Sequence, residues 1–220
     1  SLMVLLWNSL ATRDVRLMER SLAKDYGVPS DGVWINYARC HDDIGWGFET
    51  GILRDMGFDP EMHKQFIIQF MLGRYPGSFS VGELYEFNPV TLDARNSGTM
   101  ASMCGLEQAL KEKHEYKVEL AIKRILLLNS IIISYTGIPL FYSGDEIGQL
   151  NDWSYKEVKE LAGDSRWLHR GKMNWENAEK RYDLASIQGR IFSGIKKMLE
   201  IRKSCEYFRA DVKSTPVDVG

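Results

Sequence analysis

The stretch "VWINYARCHDDIGWGF", Val33 to Phe48, joins two unlike halves. Val33, Trp34, Ile35 and Tyr37 do not alternate with polar residues, which is the pattern of a strand covered on both faces, as in a parallel sheet. The spacing predicts that strand over Val33 to Cys40. Directly after it stand His41, Asp42 and Asp43, and then Gly45 breaks the run before an aromatic wall of Trp46 and Phe48. An imidazole and two carboxylates at one end of a buried strand are the makings of a site.

The flanking sequence supplies the helices that such a sheet requires. Residues 3–26 read as one amphipathic helix, with Leu6, Leu10, Leu17 and Met18 around Trp7, closed by Gly27 and Pro29. "DPEMHKQFIIQFMLGR", Asp59 to Arg74, sets an Asp cap and a first-turn Pro60 before an apolar face of Phe66, Ile67 and Phe70. Residues 75–98 are rich in Gly, Pro, Asn and Asp and predict a loop with a short hairpin, after which Ser97 is expected to cap a short helix to about Ala109. Tyr116 to Tyr135 predicts a long helix stopped by Gly137, and "IPLFYSG", Ile138 to Gly144, a second strand. Residues 149–183 read as irregular and dense in tryptophan and charge, a loop long enough to carry function. Ser186 to Lys203 predicts a last amphipathic helix. Two strands separated by a long helical connection imply parallel pairing and an α/β layout.

Composition excludes several function classes. The 220 residues are 44% hydrophobic and 26% charged, with a net charge of −2 and no basic stripe for nucleic acid or a membrane surface. Cys40, Cys104 and Cys205 are few and scattered, which argues against a disulfide framework or a zinc site and for a reducing, cytoplasmic setting. The most apolar run, Ile125 to Tyr135, is too short to cross a bilayer. An "HD" pair can also bind metal in helical phosphohydrolases, but His63, His114 and His169 lack ligand spacing relative to His41. Cys40 and His41 are strand neighbours that point to opposite faces, so a thiol dyad is not expected.

Three motifs in order, "NYARCHDDIGWGF", "GIPLFYSGDEIGQLND" and "DSRWLHRGKMNW", resemble the α-amylase superfamily of glycoside hydrolases (family 13), and within it amylosucrases and sucrose hydrolases. The resemblance implies part of a (β/α)8 TIM barrel, strands 7 and 8 with helices 6 to 8, plus a mainly helical inserted subdomain. It implies barrel segments at 1–47 and 111–210, the insertion at 48–110, and the start of a further domain at 211–220. In such barrels functional residues stand at the C-terminal ends of strands.

By the same resemblance Asp42 is the carboxylate that stabilises an oxocarbenium-like transition state, and His41 donates to a sugar hydroxyl beside it. Asp43 and Arg95 match residues on the fructosyl side of sucrose, and Phe48 lines the pocket. Arg166 matches an arginine that closes the pocket floor by pairing with an aspartate from an early strand. Lys64 stands where amylosucrases carry an arginine for the acceptor glucan, keeping charge without the planar fork. Glu146 matches a residue that supports its loop. The nucleophile and the acid/base belong to strands 4 and 5, which lie outside these residues, so the 220-residue chain is expected to be inactive alone. No metal or organic cofactor is implied. The expected substrate is a small α-glucoside such as sucrose, with α-glucans or trehalose-like disaccharides as the alternative. Apolar surfaces left uncovered by a partial barrel imply a homo-oligomer, and a non-catalytic, self-associating fragment is the other reading.

Overall fold

The computed structural model describes residues 1–24 and 32–217. Helix α1 (Leu2–Thr12) buries Trp7 and Leu6, and α2 (Arg16–Leu22) follows after a break. The single long helix expected over 3–26 is therefore two. Arg13 turns left-handed (φ 59°) with its N–H returned to the Ser9 carbonyl, and the Asp14 carboxylate takes the N–H of Arg16 to start the second segment. The closure expected at Gly27 and Pro29 lies outside the described residues.

Strand β1 is only Ile35–Asn36, far shorter than the eight residues expected, and it is not covered on both faces: Ile35 is 58% and Val33 45% exposed. The physical reason is pairing. Beyond β1 lie α3 (Thr50–Asp55) and α4 (Pro60–Met71), the hairpin strands β2 (Glu83–Tyr85) and β3 (Arg95–Ser97), and the helices α5 (Met100–Met103), α6 (Leu106–Lys111) and α7 (Glu115–Ser134). Only then comes β4 (Ile138–Pro139), parallel to β1 in the register Ile35↔Ile138. The bonds Ile138 N–H to Trp34 and Leu140 N–H to Asn36 flank this short ladder, and each strand is the other's one partner among the described residues. The parallel pairing itself is as the long helical connection predicts.

Local chemistry explains most of the helix ends. Asp59 accepts the Met62 N–H and Pro60 occupies the first turn of α4, as the sequence pattern indicates. Thr99, not Ser97, caps α5 by accepting the Ser102 N–H, since Ser97 still belongs to β3. The helix expected to run on to Ala109 is interrupted at Gly105 (φ 98°), which starts α6. The chain then forms 3-10 turns from residue 145 to 169, a short α8 (Trp175–Glu179), and α9 (Ile187–Ser204), capped by Ser186 on the Gly189 N–H.

One apolar cluster runs through the molecule. It joins Val4 and Trp7 of α1, Ile67 and Met71 of α4, Met100 of α5, Ile125 and Ile132 of α7, and Ile191 and Ile195 of α9. Each fully buried aliphatic side chain contributes on the order of 2 kcal/mol. The Trp7 indole N–H reaches the Ala38 carbonyl at 2.9 Å, tying α1 to the segment that leaves β1. At the far end of α7, Arg202 of α9 donates to the carbonyl of Ile133, which the helix terminus leaves without an intrahelical partner, and to those of Tyr135 and Gly137 just beyond. No described helix is long and apolar enough to cross a membrane.

Gly137 is the tightest point between the two strands. Its φ is +108°, and a Cβ there would stand 2.5 Å from the Trp34 carbonyl oxygen. Gly137→Ala is expected to destabilise the fold by about 1–3 kcal/mol through backbone strain and that overlap, read as a lower urea midpoint at unchanged slope. We propose that the uncovered apolar strip Trp34, Ile35, Ile138 and Leu140 seats a second copy. Sedimentation equilibrium at micromolar concentration is expected to show a dimer or larger species, and a monodisperse monomer rules this out.

Candidate functional site

The parallel register sets the ends of β1 and β4 side by side, so the segments 37–44 and 140–148 emerge together. A second fastening holds the first of them. Ile44 exchanges both backbone hydrogen bonds with Asn96 of β3, at 2.8 and 3.1 Å, and the Trp46 indole N–H donates to the Asn96 side-chain carbonyl at 2.7 Å. Asp42 and Asp43 thus sit on a short span anchored at both ends.

Asp42 is half exposed and ringed by cations. Arg166 Nη1 donates to its carboxylate at 3.1 Å, and Arg170 Nη2 lies 3.9 Å away. Arg166 is itself held by a forked pair with Asp164, at 2.9 and 2.8 Å, and its guanidinium lies 4.5 Å over the Tyr85 ring. Partial burial pushes the Asp42 pKa up, but the hydrogen bonds from Arg166 and Asp43 outweigh it and bring it down to about 2. Asp43 goes the other way: burial and the neighbouring Asp42 charge raise it, with Arg95 opposing. The two adjacent carboxyl groups are thus shifted in opposite directions, Asp42 down and Asp43 up.

The remaining candidates fall into place around this pair. Asp43 has a side chain only 4% exposed, so it meets the exterior through Arg95, 3.5 Å away and also 3.4 Å from Glu86. His41 is exposed, and its backbone carbonyl accepts two hydrogen bonds, from Arg170 Nε at 2.7 Å and His169 Nε2 at 3.1 Å. Arg166, expected to close on an aspartate outside this sequence, here has Asp164 and Asp42 as its anions. Phe48 stacks on Trp46 at 6.2 Å and meets His63 edge-on at 5.3 Å, part of the aromatic packing. Lys64 is paired with Asp93 at 2.7 Å, away from the Asp42 ring of charges in its bonding. Glu146 folds back to accept the Gly144 N–H at 2.7 Å, which shapes the loop after β4.

Three further residues, to which the motif reading gave no role in the site, belong to the same assembly. Arg39 is buried at 1% exposure and donates to the Asp42 backbone carbonyl at 2.7 Å, with Nε and Nη2 left without partners. Asp145 is fully enclosed, and burial raises it to about 7 against the pull of Arg39 and a hydrogen bond from the Met100 N–H. His169 is buried, and its pKa falls to about 3, chiefly through burial and the charge of Arg39. Arg39 and His169 sit in the quoted motifs, and no property of their own neighbours marks them; their partners are 3 to 128 residues away. Among the described residues, no group of three or more His, Cys, Asp or Glu side chains is arranged to hold a metal ion.

An anionic carboxylate framed by arginines at paired strand ends is the setting in which the comparisons carry meaning. The chain is similar to glucosylglycerate phosphorylase. The match to that enzyme, from Escherichia coli (strain K12), is 22% identical over 194 residues, taking in 86% of this chain and 31% of the enzyme. The chain thus spans about a third of the curated relative it matches. No family model matches.

Asp145 supplies a pH test with a definite sign. Its folded pKa is above the ordinary carboxylate value, so the folded state keeps a proton that the unfolded chain has lost between about pH 4 and 7. Stability from this group falls as pH rises through that window and levels off above it. Asp145→Asn removes the titration. Urea unfolding at several pH values is expected to show the variant gaining on the parent chain from about pH 4 to 7, with a constant difference beyond.

Proposed function

We propose that this chain supplies the cation-stabilising subsite of an enzyme that transfers an α-glucosyl unit, with Asp42 as the anion facing the sugar ring. The observation that carries this is the pairing of exposure and charge. Asp42 is 47% exposed yet held ionised by Arg166, at the end of the parallel pair β1 and β4. As the glycosidic bond breaks, positive charge grows on the anomeric carbon and ring oxygen, and a fixed carboxylate stabilises that charge without reorganising. Arg39 and Arg170 hold the backbone of the turn so that the carboxylate stays in place. His41, exposed beside it, is free to donate to a ring hydroxyl, and Arg95 extends the site toward the leaving sugar.

The parallel pair is read as strands 7 and 8 of a (β/α)8 barrel, and the donor as sucrose or a related α-glucoside. The motif resemblance supports sucrose. The similarity to glucosylglycerate phosphorylase supports glucosylglycerate as a rival donor and phosphate as the acceptor. Nucleophile and acid/base are assigned to residues outside this segment. Of the carboxylates beside the turn, Asp145 is enclosed, Glu146 is bonded to its own loop, and Asp43 is buried. A retaining pair needs two carboxyl groups open to the substrate, and these three are buried or engaged.

The experiment compares this chain with a longer polypeptide extended on its N-terminal side. Fructose release from sucrose is measured with and without phosphate, and glucose 1-phosphate formation is measured from sucrose and from glucosylglycerate. The 220-residue chain is expected to be silent and the longer one active. Asp42→Asn in the longer chain is expected to lower kcat by about 100- to 1,000-fold with KM little changed, the range for losing one preorganised electrostatic group. Turnover by the short chain, or full activity in the variant, overturns the assignment. Because Asp42 stays ionised down to about pH 2, its own protonation is not expected to set the acidic limb of the pH–rate profile.

A further inference from the structure

His169 closes the last 3-10 turn before Arg170, and its ring is buried. Both ring nitrogens are committed. Nδ1 lies 3.3 Å from the Gly98 N–H and accepts from it, so that nitrogen carries no proton. Nε2 must then carry the one proton of the neutral ring, and it donates to the His41 carbonyl at 3.1 Å. Burial disfavours a second proton, and Arg39 and Arg170 add positive charge against it, with the His41 bond and Asp42 opposing; Tyr142 packs edge-on at 6.3 Å.

These two bonds add a further tie, beside the Ile44–Asn96 bridge, between the pieces of the site. Gly98 directly follows Ser97, the last residue of β3, and β3 carries Arg95, the partner of Asp43. The His41 carbonyl belongs to the peptide that leads into Asp42. Met103 Cγ would lie 2.9 Å from a Cβ at position 98, so the Gly98 backbone cannot recede without repacking. A neutral imidazole of fixed tautomer thus spans the gap between the strand bearing Arg95 and the turn bearing Asp42.

We propose that His169 is a positioning residue, which holds the His41 end of the Asp42 turn against β3 as the Ile44–Asn96 bridge holds its other end, so that Asp42 and Arg95 address one bound glucoside. This rests on the functional reading of Asp42 given above. The role requires a donor on one side and an acceptor on the other, and a glutamine amide offers both at similar spacing. Alanine offers neither and leaves the Gly98 N–H and a share of the His41 carbonyl without partners.

Two measurements on the 220-residue chain decide the claim without any turnover. In nitrogen-15 imidazole spectra the His169 ring is expected to hold the neutral Nε2–H tautomer from about pH 8 to about pH 5, across the ordinary histidine range. A ring that titrates there, or that carries its proton on Nδ1, overturns the proposal with no variant made. In carbon-13 titrations, Asp42 is expected to sit near about 2 in the parent chain and in His169→Gln, and to climb toward the ordinary value of about 3.9 in His169→Ala as the turn loosens from Arg166. Equal Asp42 titration in all three, or equal disturbance in both variants, assigns His169 to bulk packing and ends the claim. In the longer, active polypeptide His169→Ala is expected to lose about 10- to 100-fold in kcat with KM nearly unchanged, and His169→Gln to recover most of it. Absence of glucosyl transfer by any longer polypeptide would sink the functional reading instead, and the two spectroscopic results would stand apart from it.

Discussion

The backbone hydrogen bonds of the β1–β4 pair, among them Ile138 to Trp34 and Leu140 to Asn36, are the constraint from which the site follows. They close a parallel pair between residues about a hundred positions apart, and parallel strands send their C-terminal ends in the same direction. The segment with His41 and Asp42 and the loop with Asp145 and Glu146 therefore emerge together. Gly137 makes the approach feasible, because its backbone stands where a side chain would strike the Trp34 carbonyl. The ladder is short, so the strands are secured from outside it: the Trp7 indole holds Ala38, and Arg202 ties down the turn before β4.

Around that frame the ionisable groups divide by solvent access and not by type. Asp42, with water on one side and Arg166 on the other, is held charged. One residue along, Asp43 turns inward and its carboxyl is pushed up; Asp145, wholly enclosed, is pushed up further. The same low dielectric that penalises an unpaired charge strengthens a satisfied hydrogen bond. That is why carbonyl groups of the turn, and not only its side chains, are the acceptors for Arg39, Arg170 and His169. A glycosyl-transfer site benefits from such an arrangement, since an anion that is fixed before the reaction needs no reorganisation during it.

Several elements were legible in the residues alone because their causes are local. The Asp59–Pro60 start of α4, the Ser186 cap of α9 and the left-handed Gly137 after α7 each depend on residues within a few positions. The split at Arg13 was not legible: the apolar spacing continues through it, and only the Asp14 carboxylate capturing the Arg16 N–H reveals the restart. The strand expected from Val33 shortens to two residues because, among the described residues, only β4 lies beside it, and periodicity reports what a residue could bury, not how far a partner extends.

The sequence by itself determined the Asp59 start of α4, the parallel sense of the strand pair and the placing of His41, Asp42 and Asp43 in the segment that follows the first strand. Only the tertiary structure decided which carboxyl group is shifted down and which up, that Arg166 answers both Asp164 and Asp42, and that His169 bonds both Gly98 and His41. Caps and turns are set by bonds to the nearest few residues, which a sequence displays in order. Charge state and long-range pairing are set by burial and by partners brought from elsewhere in the chain, and those exist only once it has folded.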